Sequence, residues 1–349
     1  MKVTLDKIAS ATQNARVPRE VHLSEQIKAE EGMVVAARVH GTKTTYNTLE
    51  DLHGRMIGLN DGDLIAGVLG SRRALRGYAG VIPPSVKVGD RLDILNLGGV
   101  IGKCTSVNLE LGPPLQAEIL GQVLSFPYLG ERHGVPATIR TNAVPMAEKL
   151  DKCAPVVYVA GTCMNSGKTF ACGEVIRYLA RRGKKVCGAK FTGVSLLRDT
   201  MSMVDRGAFK SLSFNDAGAV STTDAVSVGV AKGLLNALNK EEPDCLVVEL
   251  GDGILGEYGV QAILHDDELM SVAKAHLLCA TDPVAAWGAV ELYNTRFHRK
   301  ADLVCGPATD NAVGKEFIEK KIGVKALNAR IEYEAIGAFV EKALFGAAS

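Results

Sequence analysis

Gly161-Thr-Cys-Met-Asn-Ser-Gly167-Lys168-Thr169 stands between the apolar run PVVYVA (155–160) and GKTFACGEVIRYLARRG (167–183), whose apolar positions recur at helical spacing. A buried strand, a glycine-bearing turn and a helix that begins at once make a loop for phosphate. Consecutive backbone N–H groups and the positive end of the helix dipole face the oxygens, and Gly allows the tight turn. In that pattern Lys168 reaches the outer phosphates and the Thr169 hydroxyl holds magnesium, with Gly161, Thr162, Asn165, Ser166 and Gly167 forming the cradle. One departure is visible: the usual spacing is GxxxxGK[ST], whereas Gly161 stands one residue further back and Thr162 occupies the expected glycine position.

Downstream, the alternation of apolar strand, turn and helix continues. KKVCGAKF, CLVVEL, HLLCAT, ADLVCG and VKALNA are short apolar runs separated by helical segments such as PVAAWGAVELY and NAVGKEFIEKK, and residues 330–345 read as a closing helix. That is the pattern of a parallel sheet flanked by helices. Upstream, the pattern differs. MVVAARVH, DLIAGVL, RLDILNL, GVIGKCTSV and LQAEILGQV are alternating or apolar runs separated by Gly, Pro and Asp, which predicts a smaller all-β, barrel-like domain. Residues 128–152 mix Pro and charge with little periodicity and suit a connection. The expected division is therefore 1–150 for the β domain plus linker and 151–349 for the α/β domain.

The chain has 349 residues, 47% hydrophobic and 23% charged, which fits a folded protein of about two domains. Forty Lys plus Arg against 39 Asp plus Glu leave a formal charge of +1, so there is no global field for nucleic acid or an anionic membrane. No apolar stretch approaches the roughly 20 residues of a bilayer span, and the first residues lack a secretory signal's apolar segment, so the expected address is the cytoplasm. The eight cysteines stand singly, without CxxC, and the seven histidines show neither HxH nor HExxH. Reduced core thiols are expected, and no zinc cluster. Ser71-Arg-Arg-Ala-Leu-Arg76 holds three arginines, readable as an anion patch or as a solvated loop.

The spacing G-T-x-x-x-x-G-K-T resembles the loop of dethiobiotin synthetase and related P-loop enzymes, including the ATP-dependent amide-forming enzymes that act on the corrin ring. The resemblance covers about residues 155–329 and leaves the β domain outside it. Gly188-Ala-Lys-Phe-Thr-Gly193 stands where that group carries a KPVxSG-type substrate motif, without the proline, which implies Lys190 and Thr192 toward substrate. The group next carries a magnesium-holding acid. Asp199, Asp205 and Asp216 are the candidates, and Asp216 is preferred because SLSFNDAG reads as a strand entering a site. CLVVELGDG resembles the VEGAGG-type segment and offers Glu249 as a carboxylate for magnesium and catalysis. The base pocket corresponds to Val304–Asn311, with Asp310 and Asn311 as contacts, and the absence of [NT]KxD there favours ATP over GTP. Enzymes of this kind are commonly homodimers. Thr281 and Asp282 either touch substrate or cap the next helix.

The leading expectation is thus an ATP- and Mg2+-dependent enzyme that activates a small carboxylate or carbamate substrate by phosphoryl transfer, of ligase or kinase type. Lys168, Lys190 and Glu249 would be its catalytic groups, and Thr169, Asp216 and Glu249 would hold the metal. A second reading is a nucleotide-controlled switch or cofactor-maturation helper with a protein partner. A third is an acetyl-coenzyme A-dependent N-acetyltransferase, since GTDCxxGK loops resemble those of D-glutamate N-acetyltransferases; here Cys163 replaces the Asp of that pattern.

Overall fold

The computed structural model describes residues 1–127, 130 and 133–346. Of the expected connection, Tyr128, Leu129, Glu131 and Arg132 lie outside the described residues, as do residues 347–349. The chain forms two compact units. The first comprises Met1–Val144, Val194–Arg198 and Asn215–Ser221, and the second comprises Pro145–Gly193, Asp199–Phe214 and Thr222–Ser349. The break in the chain falls between Val144 and Pro145, and two short returns from the later half belong to the first unit.

In the first unit, five strands close on themselves. Gln116–Ser125 pairs with Val34–His40, which pairs with Leu64–Leu69, all antiparallel. Leu64–Leu69 runs parallel to Val100–Ser106. Arg91–Ile94 then pairs with both Val100–Ser106 and Gln116–Ser125 and so completes the ring. Side chains alternate between faces of a strand, and two separate cores result. Val35, Ala37, Ile65, Leu69, Leu92, Ile94, Ile101 and Ile119 pack together as the filling of the ring. Val34, Ala36, Ala66, Val68 and Val100 belong to the other cluster. Gly67 lies between the inward residues Ile65 and Leu69; a Cβ there would stand 2.5 Å from Ile101 Cδ1 and 2.8 Å from Gly99 O. The returns are tied by hydrogen bonds within this unit. Glu50, fully buried, accepts from Leu197 N at 2.6 Å and Arg198 N at 2.8 Å, and Asn96 Nδ2 donates to Ser195 O at 2.7 Å.

The second unit is built on a parallel sheet of seven strands among the described residues, flanked by helices. The order is Lys210–Ser213, Val186–Thr192, Cys245–Leu250, Val156–Gly161, Ala273–Cys279, Leu303–Cys305, Lys325–Ala326. Every residue of Val156–Gly161, Val186–Thr192 and Cys245–Leu250 is buried, which is why these strands read as unbroken apolar runs. Val156–Gly161 sits in the middle, and the chain's next strand, Val186–Thr192, is placed beyond Cys245–Leu250. The strand order therefore reverses at the end of Val156–Gly161, where open parallel sheets bind their ligands. The helix Lys168–Arg181 buries Ala171, Cys172, Val175, Ile176 and Leu179 in the core formed with these strands.

His276, on the Ala273–Cys279 strand, is stacked on Tyr158 with ring centroids 5.7 Å apart and meets the edge of Tyr293 at 5.7 Å. Burial pulls its pKa down to about 4, with Asp302 opposing and Arg299 adding to the shift. The folded state thus keeps the ring neutral while the unfolded chain takes a proton near the ordinary 6.5. The stability this contributes is complete above pH 6.5 and is lost as pH falls from there towards about 4. His276→Phe, which keeps an aromatic ring in the stack, is expected to flatten the fall in unfolding free energy across that window. Urea titrations of both proteins at several pH values measure it, and identical slopes would exclude a buried neutral His276.

Candidate functional site

The site assembles where the central strands end. The Val156–Gly161 strand passes into the loop, and helix Lys168–Arg181 begins directly after Gly167, which sits at φ 97° as its N-cap. Only glycine adopts that backbone without strain. Asn165 takes φ 61°, a left-handed conformation that Asn tolerates better than most residues. Gly161 is required for closeness: a Cβ would stand 2.3 Å from Ser166 Oγ and 2.9 Å from Lys168 Cγ. Among the described residues, the amides of Cys163, Met164, Asn165, Ser166 and Gly167 donate to no protein group. Five consecutive backbone donors at a helix N-terminus form a ready concavity for an anion.

Lys168 is buried and lies back across this loop. Its Nζ donates to Cys163 O at 2.8 Å and to Asp252 O, with Ser166 Oγ at 3.5 Å. The ammonium thus sits among neutral oxygens at the loop's centre, where a phosphate oxygen would be a stronger partner. Glu249 ends the neighbouring strand and is 2% exposed. Burial pushes its carboxyl up; the Lys190 charge opposes, Asp199 adds to the rise, and Lys168 and the Thr169 hydroxyl oppose. Glu249 Oε2 is buried and accepts no hydrogen bond among the described residues. Lys190, from Val186–Thr192, pairs with Asp199 and stands 3.9 Å from Glu249 Oε1. Lys168, Thr169, Lys190, Asp199 and Glu249 therefore share one electrostatic environment in the second unit.

Other expected residues belong to the first unit or make structural contacts. Asp216, preferred from the sequence as a metal ligand, belongs to the first unit, where Gln13 Nε2 donates to its Oδ1 at 3.3 Å. The SLSFNDAG run is a strand only as far as Ser213, after which the chain passes to that unit. Asp199 is the acid that the second unit itself gathers. Its signal in the sequence was a place at the start of an amphipathic helix, Arg198–Asp205, soon after Lys190. Thr192 Oγ1 donates to Gly251 O and fixes the strand end. Asn311 caps Ala312–Phe317 by accepting from Gly314 N at 2.9 Å, and Asp310 accepts from Asn328 Nδ2 at 2.8 Å. Asp282 accepts from Val284 N and Ala285 N, each at 2.9 Å, so it caps the Pro283–Thr295 helix. Arg72 is buried, donating to Tyr46 OH at 2.7 Å and to Leu95 O, and so is no part of an exposed patch. Among the described residues no group of three or more His, Cys, Asp or Glu is arranged to hold a metal by itself.

Gly306, which lies within the expected Val304–Asn311 stretch but is not one of the contacts named there, forms part of the loop's support. It has φ 87°, and a Cβ on it would stand 2.4 Å from Ser166 O and 2.9 Å from Ala280 O.

The second unit has the fold of a P-loop parallel sheet flanked by helices. No protein-family model matches the chain, and no curated protein matches it. Solved structures share part of it. A DUF1611 family protein from Anabaena variabilis is 13% identical with a TM-score of 0.44, over 65% of this chain and 69% of that one. Signal recognition particle 54 kDa protein from Aeropyrum pernix, in complex with GDP, is 19% identical with a TM-score of 0.37, over 56% and 47%. Hydrogenase maturation factor HypB from Archaeoglobus fulgidus is 14% identical with a TM-score of 0.36, over 55% and 90%. The chain spans less than two thirds of the signal recognition particle protein, and 62% of a chloroplast FtsY from Physcomitrella patens. At such TM-scores these likenesses carry no argument about activity.

Gly306→Ala combines an unfavourable φ with overlap onto backbone oxygens. It is expected to cost about 1–3 kcal/mol of stability, read from denaturant midpoints at constant slope. An unchanged midpoint would show that the loop is not braced there.

Proposed function

We propose that the second unit binds a nucleoside triphosphate with Mg2+ on the Gly161–Thr169 loop and transfers its γ-phosphoryl group to a small carboxylate-bearing acceptor. The observation that carries the reading is the run of five undonated amides around the Lys168 ammonium. The amides would bind the β-phosphate region and Lys168 the outer oxygens, so that charge developing on the transferred group meets donors already in place. Mg2+ suits Thr169 and Glu249. A hydroxyl and a buried carboxylate with an uncommitted oxygen are hard oxygen donors of the type it takes. When bound, the ion would supply charge neutralisation, and Asp199 is the second acid that the second unit itself offers. ATP is the nucleotide proposed, on the absence of a guanine-reading [NT]KxD sequence.

A second reading, a nucleotide-controlled switch acting on a protein partner, is favoured by one feature. Lys190 is committed to Asp199 and lies near Glu249, so it is not presented to an acceptor. In that reading the charged cluster changes its pairing with the state of the nucleotide. Hydrolysis that accelerates only when a small carboxylate is supplied supports transfer; acceleration only by a protein supports the switch.

Lys168→Ala is expected to reduce ATP affinity by at least about a hundredfold in calorimetry, consistent with loss of a charge-assisted contact to phosphate, while thermal unfolding shows a single folded protein. Unchanged affinity would remove the loop from nucleotide binding. Glu249→Gln is expected to keep ATP bound and to lower turnover about a hundredfold or more. Full phosphate release by that variant would take Glu249 out of the chemistry.

A further inference from the structure

One end of the β ring opens to solvent as a cavity of about 900 Å3 lined by residues of the first unit. That volume is in the range that holds a small metabolite. Strand register builds its walls: His40 stands opposite Gln116, and Arg91 opposite Glu118, with the loop after His40 and the loop before Gln116 closing the sides.

The wall carries positive charge and spare donors. Lys43 Nζ is held by Leu111 O at 2.7 Å, Tyr78 OH at 2.9 Å and Pro113 O, all neutral partners. Burial pulls its pKa down, and no carboxylate among the described residues pairs with it. Arg91 lines the same cavity with an exposed side chain that makes no hydrogen bond or ion pair among the described residues. Between these two cations, the amides of Thr42, Lys43, Thr44 and Thr45 donate to no protein group, nor do the three threonine hydroxyls. The acceptors nearby are already engaged. Glu118 takes the His40 ring at 2.6 Å, a contact that holds its carboxyl below the usual range, with Arg38 and Arg91 contributing. Asp61 accepts from Gly41 N at 2.8 Å.

Donors in excess, and an Arg91 guanidinium whose facing carboxylate, Glu118, is already engaged by the His40 ring, are together suited to an oxyanion. We propose that this cavity binds a small anion by its carboxylate or phosphate oxygens, the Arg91 guanidinium forming the fork and the amides and hydroxyls of the 42–45 loop the cradle. Lys43 does not need to touch the anion. It bridges the two loops and sets the positive potential between them. This site is independent of the nucleotide reading.

The test is calorimetry on the full chain carrying Lys168→Ala, so that the Gly161–Thr169 loop does not compete, with inorganic phosphate and citrate as separate probes. Saturable binding of at least one is expected, weakened about tenfold or more by Arg91→Ala, the range for loss of a charge-assisted contact, and less by Thr44→Val. Both side chains are exposed, so neither change disturbs a core, and circular dichroism checks the fold. Binding of phosphate alone assigns a phosphorylated ligand, and binding of citrate alone a polycarboxylate. No saturable binding of either, or affinities that Arg91→Ala leaves unchanged, overturns the proposal.

Discussion

Two buried ammonium groups, one buried carboxylate and one half-buried carboxylate gather near the ends of three neighbouring parallel strands, and their balance is the constraint on the second unit's site. Lys168 and Lys190 offset Glu249 and Asp199. An isolated buried ion costs several kcal/mol, whereas a mutually neutral set is tolerable. The strand order makes this grouping possible. Only with Cys245–Leu250 between Val156–Gly161 and Val186–Thr192 do Glu249, the loop and Lys190 come within range of one another. Glu249 accordingly has a carboxyl pushed up by burial and pulled back by its neighbours, a poise found where proton and metal chemistry takes place.

Much of the architecture was legible because each part depends on local pattern. The five alternating runs read from the first half are the five strands that close the ring, since a side-chain period of two with Gly and Pro between runs leaves little else for them to be. The short edge pieces, such as Lys2–Thr4 and Arg72–Arg73, were not, because two or three residues carry no periodicity. The unbroken apolar runs of the second half became the parallel sheet for the reason that both faces of such a sheet are covered. The unit assignment of residues 194–198 and 215–221 was invisible, because it rests on hydrogen bonds to Glu50, Asn96, Gln13 and Asn14 more than a hundred positions away in most cases.

The site divides in the same way. Gly161, Ser166, Gly167, Lys168 and Thr169 are contiguous, so their geometry follows from strand, turn and helix in succession. Glu249 could be named as a candidate from the sequence because strand ends on one edge of a parallel sheet converge. Asp216 and Asp199 could not be separated by pattern: each follows a strand-like run, and only the path of the chain puts Asp199 beside Lys190. Gly306 was missed because a glycine required by closeness to Ser166 looks, in sequence, like any turn glycine.

The returns of the chain to the first unit bear on how the protein is made. The ring can close once Gln116–Ser125 has been synthesised, but the amides that satisfy the buried Glu50 carboxylate arrive only with Leu197 and Arg198, and the last return ends at Ser221. On the ribosome the β unit therefore holds Glu50 with Ser10 as a donor but without these two amides until a large part of the α/β unit has emerged. A separate fragment ending near Val144 would lack both amides permanently, so the surroundings of Glu50 are completed only by residues from the later half of the chain.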